Sequence, residues 1–238
     1  MPYSDKGKDA GGFLNRLSPL KSRKPSDLAL HHVLSLSTLI KNQNWNAVRE
    51  RVSNYPQEAG EELPVMTRGG FLASAGFTPL HYACERRPPV EVVQALIAAQ
   101  PEAVTARLRP GGALPLHVAC TWHASDGVVR VLTQAESAAC RIPDELGNIP
   151  LHCAVFSGAD MLVLEILLRI YPKAALVRNH QGSLAEDIIK RLRHDNRTMA
   201  MKRVKAAKES MVTFQHKRER SNGSCGAAAQ RAMELNNL

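Results

Sequence analysis

The chain has 238 residues, only 5% of them aromatic, and a formal charge of +9; its aliphatic richness suits Leu/Val/Ala-packed helices and argues against a β-sandwich. Its best apolar run, MLVLEILL at 161–168, is well short of the ~18 residues a membrane span requires and contains Glu165. No apolar segment marks a secretory signal near Met1, and the five cysteines form no CxxC pair, so reduced thiols and a cytoplasmic or nuclear setting are expected.

The positive charge sits at the ends. Residues 1–26 carry six Lys/Arg against two acids, and 190–238 carry twelve against four, whereas 27–189 carry thirteen against sixteen. A slightly acidic folded part between two basic ends is the implied organisation, with 1–26 read as a disordered basic segment.

From Ser26, SDLALHHVLSLSTLIKNQNW places Leu28, Val33, Leu36, Leu39 and Ile40 at helical spacing, with Ser26 or Asp27 as N-cap. NWNAVRERVSNYP supplies a partner helix, capped by Asn44, with Trp45 and Val48 inward. This pair, 27–59, is expected to cap the N-terminal end of a helical domain over 27–215. Residues 60–75 read as an extra loop whose apolar residues, Val65, Met66, Phe71 and Leu72, either fold back onto the first unit or form a contact site.

The stretch GFTPLHYAC at 76–84 then recurs. GGALPLHVAC holds a second copy from Gly112, and GNIPLHCAV a third from Gly147; Gly182 opens a fourth, weaker unit. These glycines are 36, 35 and 35 residues apart. Pro79, Pro115 and Pro150 suit the first turn of a helix, where a missing N–H costs nothing. Leu80, Leu116 and Leu151 point inward. A second helix follows each head: Val92, Val93 and Leu96 align with Val128, Val129 and Leu132, and with Val163, Leu164 and Leu167. Pro56, Pro101 and Pro172 stand where such helices end. One helical pair cannot cover its own apolar face, so each is expected to stack on the next.

G-x-T-P-L-H-x-A at this period resembles the ankyrin repeat. The resemblance is specific over 76–182 and implies an all-α, ankyrin-like solenoid of helical hairpins with protruding loops: repeats 76–111, 112–146 and 147–181, then a terminal unit 182–215. Leu114 and Ile149 stand where the family has threonine, so a Thr–His bond is expected only between Thr78 and His81. His81, His117 and His152 recur with the period and read as ties between adjacent turns, not as metal ligands, which must converge in threes or fours. Cys84 and Cys120 align with Val155, which marks a core slot.

In the terminal unit, Ile188, Ile189 and Leu192 are expected to cover the open end. Beyond them Met201, Val204, Met211 and Phe214 share a face among Lys202, Arg203, Lys205 and Lys208. Such a helix either caps the stack or binds an acidic surface. Residues 216–238 read as a disordered tail, and the basic tracts at 19–27 and 214–221 as weak import or kinase signals.

No nucleotide, zinc-protease or hydrolase motif is present, so neither a catalytic residue nor a cofactor is expected. The resemblance implies a protein-binding scaffold, read here as a monomer. Its variable positions map to Glu85 and Arg86, Thr121 and Trp122, and Phe156 and Ser157, and its loop tips to Arg107, Arg109, Arg141, Asp144, Glu145, Arg178 and His180. The alternative is nucleic acid or an anionic membrane bound by the basic ends, with the repeats as support.

Overall fold

The computed structural model describes residues 35–63, 65–66, 72–73, 77–191 and 198–214. Contacts divide the chain into two compact units, Met1–Ser35 and Leu36–Leu238, and the elements described here belong to the second. The expectations for 1–34, for Gly76 and Leu192, and for 216–238 lie outside the described residues.

The helices come in pairs. A first pair, α1 (Leu36–Lys41) and α2 (Trp45–Asn54), precedes three repeats: α3 (Pro79–Glu85) with α4 (Val90–Ala99), α5 (Pro115–Thr121) with α6 (Asp126–Ala135), and α7 (Pro150–Ser157) with α8 (Met161–Ile170). The terminal unit holds α9 (Ala185–Arg191) and a last helix, α10, over 198–214. First helices pack on first helices, α3 on α5 on α7 on α9, and second helices likewise, α2 on α4 on α6 on α8. The result is a stack, with a core running through every joint.

Proline opens α3, α5 and α7 at the first helical turn, as the sequence suggests. Leu80, Leu116 and Leu151 behind those prolines are fully buried; each contributes roughly 1.5–3 kcal/mol by leaving water. Pro56, Pro101 and Pro172 follow the second helices and start short 3-10 segments, Pro56–Gly60, Pro101–Thr105 and Pro172–Leu176. The second repeat lacks this proline. There Ser137–Arg141 forms the same segment, started by the Glu136 carboxylate accepting from Ala138 N–H at 2.8 Å.

Asn44 caps α2 by accepting from Ala47 N–H. Arg51 clamps Glu58 with two bonds of 2.7 and 2.8 Å and lies over the Tyr55 ring, which ties α2 to its closing segment. The loop at 60–75 departs from the all-helical expectation. Its backbone pairs β1 (Val65–Met66) with β2 (Leu72–Ala73), antiparallel, with Val65 opposite Ala73. This two-residue ladder is an insertion between α2 and α3 and leaves the helical stack intact.

The last helix is a cap. Val204 and Ala200 are buried and join the core, with Met201 and Ala207 packed beside them. Phe214, expected on that inward face, is 61% exposed: the buried stripe runs through 200 and 204, is half-buried at 207, and ends before the C-terminal turn. Arg203 pairs with Glu165 of α8, and Lys208 with Glu186 of α9. Two cations of the basic face are thus engaged with the protein itself.

Candidate binding surface

The three repeat histidines share one arrangement. Each Nδ1 accepts from the backbone N–H that precedes its helix: Thr78 to His81 at 3.4 Å, Leu114 to His117 at 3.1 Å, Ile149 to His152 at 3.2 Å. The Thr78 hydroxyl adds a 2.9 Å bond to His81. Because Nδ1 accepts, Nε2 carries the proton and donates outward. For His81 it reaches the Ala113 carbonyl at 3.3 Å, and for His117 the Asn148 carbonyl at 3.0 Å. Burial lowers the pKa of both rings to about 4, although those carbonyls oppose the shift. The rings are neutral ties between repeats.

The third joint differs. Ser183 occupies the position equivalent to Ala113 and Asn148, yet the buried His152 Nε2 makes no hydrogen bond of normal geometry; the Val177 and Ser183 backbone only oppose, more weakly, the lowering of the ring's pKa by burial. Asp187 takes the histidine's place in the terminal unit, its carboxylate accepting from Leu184 N–H at 3.1 Å, which lowers its pKa. The local cap is kept, but no donor points onward.

The loop tips bond to one another through backbone. Glu145 N–H donates to the Gly111 carbonyl at 2.9 Å, and His180 N–H to the Leu146 carbonyl at 3.0 Å. His180 also donates from Nδ1 to the Glu145 carbonyl. Gly112, Gly147 and Gly182 all adopt positive φ, between 64° and 75°, where these tips turn back into the helix.

Several expected contact residues are taken up by this framework. Asp144 accepts from Leu146 and Asn148 N–H at 2.9 and 2.7 Å and from the Asn148 amide, so it shapes the tip. Arg141 ends the Ser137–Arg141 segment and stacks over Tyr171 at 5.7 Å, away from the tips. The Thr121 hydroxyl donates to the His117 carbonyl. Arg86 lies over the Tyr82 ring, with Glu85 4.0 Å away. Arg107 donates to the Gly112 and Pro143 carbonyls. Arg178 donates to the Gly182 carbonyl, and Arg109 is exposed on its tip.

Trp122, the residue that caps the end of α5, and Phe156, on the adjacent α7, remain outward, 48% and 63% exposed. Leu146, absent from the sequence reading, stands 62% exposed at the second tip. Asn148 and Asn179 were also missed. Asn179 accepts from Gln181 and Ser183 N–H and donates to the Asn148 side chain at 3.0 Å. The available signal was periodicity, because Asn179 lies one repeat after Asp144 and does the same work.

Among the described cysteines, those with shifted thiols are shifted away from reactivity. Burial pushes the Cys84 and Cys153 thiols up to about 12 and Cys140 to about 11, far from the thiolate range. Among the described residues, no three His, Cys, Asp or Glu side chains are grouped so as to hold a metal. Nor is any described helix long and apolar enough to cross a membrane.

The model of the family described as ankyrin repeats (3 copies) matches residues 80–175. This stretch is an ankyrin-repeat array. Its three copies coincide with α3–α4, α5–α6 and α7–α8 and with the segments that close them. Ankyrin repeats generally bind other proteins and are typically not catalytic. No curated protein matches the chain.

Proposed function

We propose that this protein is a non-catalytic scaffold or adaptor whose ankyrin array holds a partner protein against the first-helix face and the loop tips. One observation carries the reading. Trp122, Phe156 and Leu146, large apolar residues in an aromatic-poor chain, stay exposed on that one side, whereas Leu162 on α8 and Met199, Val212 and Phe214 on α10 are exposed elsewhere. Exposed aromatic residues rimmed by arginine are the residue types that dominate interface energetics.

The test is capture of partners by crosslinking in cells with the wild-type chain, a Trp122→Ala/Phe156→Ala double variant, and an outer-face control, Glu91→Ala. The double variant should lose partners that the control keeps. Equal capture by all three would remove the first-helix face from consideration.

A further inference from the structure

We propose that α9 and α10 form an end cap that opens as one body while the three repeats stay folded. The motion belongs to the chain itself and needs no partner.

In a stack each unit touches only its neighbours, so an end unit is held by one joint where an inner repeat is held by two. The joint between α7 and α9 also lacks the tie of the earlier ones. His81 and His117 reach the Ala113 and Asn148 carbonyls across the two joints before it. Across this one, neither His152 Nε2 nor, on the cap's side, Ser183 Oγ makes a hydrogen bond of normal geometry among the described residues. Both atoms are closed off from solvent. Shutting the joint therefore strands two polar groups, and opening it returns them to water.

Charge loosens the same joint. Glu186 takes the head position that Leu80, Leu116 and Leu151 hold in the repeats. Lys190 and Lys208, which hold its carboxylate, both belong to the cap. Where a leucine would add apolar burial, this carboxylate draws its partners from α9 and α10 and keeps them when the cap leaves. The Lys208 pair also fastens α10 to α9, so the two helices travel together.

Packing agrees with the polar groups. A cleft of about 370 Å³ lies over the joint, between His152, Cys153 and Phe156 of α7 and Ile188 and Arg191 of α9. Apolar contact holds the cap shut, through Ala185 and Ile189 of α9 and Ala200 and Val204 of α10. The Arg203–Glu165 pair to α8 joins two exposed side chains and contributes little. The rung from His180 to Leu146 lies ahead of α9 and stays with the repeats. Because Phe156 lines the cleft, the cap's position sets the surroundings of one exposed aromatic residue.

Hydrogen–deuterium exchange of the full chain, read by mass spectrometry at rising sub-denaturing urea, tests this. Amides of α9 and of 200–208 in α10 should share one opening, about tenfold or more as frequent as the opening that exposes α5 and α7. Glu186→Leu, which restores the leucine of the repeats, should slow that exchange about tenfold in both cap helices and leave α5 as it was. Exchange of α9 only together with α5 and α7 overturns the separate cap. Exchange of α10 well ahead of an α9 that keeps the protection of α7 overturns the single body. Unchanged or faster exchange of α9 in Glu186→Leu, with α5 still protected as proof of folding, overturns the placing of the weakness at this joint.

Discussion

The His117 imidazole bridges two repeats: its Nδ1 accepts from Leu114 N–H on its own helix, and its Nε2 lies 3.0 Å from the Asn148 carbonyl on the next. One side chain thus satisfies a helix end and closes a joint. His117→Ala leaves the buried Leu114 amide without a partner, takes from the Asn148 carbonyl one of its two donors, the other being Asp144 N–H at 2.9 Å, and opens a void. A loss of about 2–4 kcal/mol is expected in urea unfolding. His152→Ala, which breaks only the first of these bonds, should cost less. Equal losses would show that the inter-repeat bond adds nothing.

The same burial makes stability depend on pH. His81 and His117 are neutral in the fold, with pKa lowered to about 4, against about 6.5 when unfolded. The unfolded chain therefore takes up protons that the fold refuses as pH drops below about 6.5. The contribution is present in full above that value and is lost as pH falls towards about 4, up to about 3 kcal/mol per ring. Carboxylates with lowered pKa, Asp187 and Glu186, weaken the fold only further down, so the window from about 6.5 to 4.5 reports on the histidines. In the folded protein, ring-proton NMR signals of His81 and His117 should stay nearly constant from about pH 6.5 down to about 5 and move only below that. Titration of either near 6.5 contradicts the burial argument.

Gly147 is the tightest of the tip glycines. Its φ is 75°, and a Cβ there would lie 2.7 Å from the His180 backbone nitrogen. Gly182 has a similar φ of 72° but open space around it. Gly182→Ala should cost about 1 kcal/mol, the left-handed penalty alone. Gly147→Ala adds a backbone collision in the rung from His180 to Leu146 and should cost clearly more, about 2–3 kcal/mol. Urea midpoints of the two variants, compared at equal slope, separate strain from clash.

The repeat heads were legible in the sequence because they answer one physical demand three times: proline to start, leucine to bury, histidine to tie. Binding residues answer no such repeated demand, so their positions came only from the family resemblance, and the structure sorted them by what the scaffold had already claimed. Asp144 and Arg141 went to the scaffold, whereas Trp122 and Phe156 stayed outward. The β1–β2 pair was invisible because two residues a strand are too few for any alternation to register.

After each first helix the chain turns through a left-handed residue, at Gln43, Arg87, His123 and Gly158 with φ of 55°, 54°, 57° and 75°. Only the last is glycine, the residue that adopts this conformation freely. Arg87 gains a bond to the Trp122 carbonyl, and His123 is exposed. His123→Gly should therefore stabilise the protein by about 0.5–1 kcal/mol, the relief of left-handed strain less the extra freedom of an unfolded glycine. A lower thermal midpoint for this variant would mean that the imidazole makes contacts outweighing its backbone strain.

The terminal unit replaces a core leucine with a charge. Glu186 stands where Leu80, Leu116 and Leu151 stand in the repeats and is 8% exposed. Lys190 at 3.0 Å and Lys208 at 3.1 Å hold its carboxylate and lower its pKa. Half of that support comes from α10, which is anchored by Val204 at 0% exposure. Val204→Asp buries a charge with no partner, so α10 should detach in preference to hiding it. Removal of Lys208 then leaves Glu186 with Lys190 alone. Brief trypsin treatment should cut at Lys202, Arg203, Lys205 and Lys208 in this variant while 80–175 stays protected; Val204→Ala, which removes only packing, should show slower release. Protection of those four sites in Val204→Asp would mean that the ion pairs from Arg203 and Lys208 hold the cap without its apolar anchor.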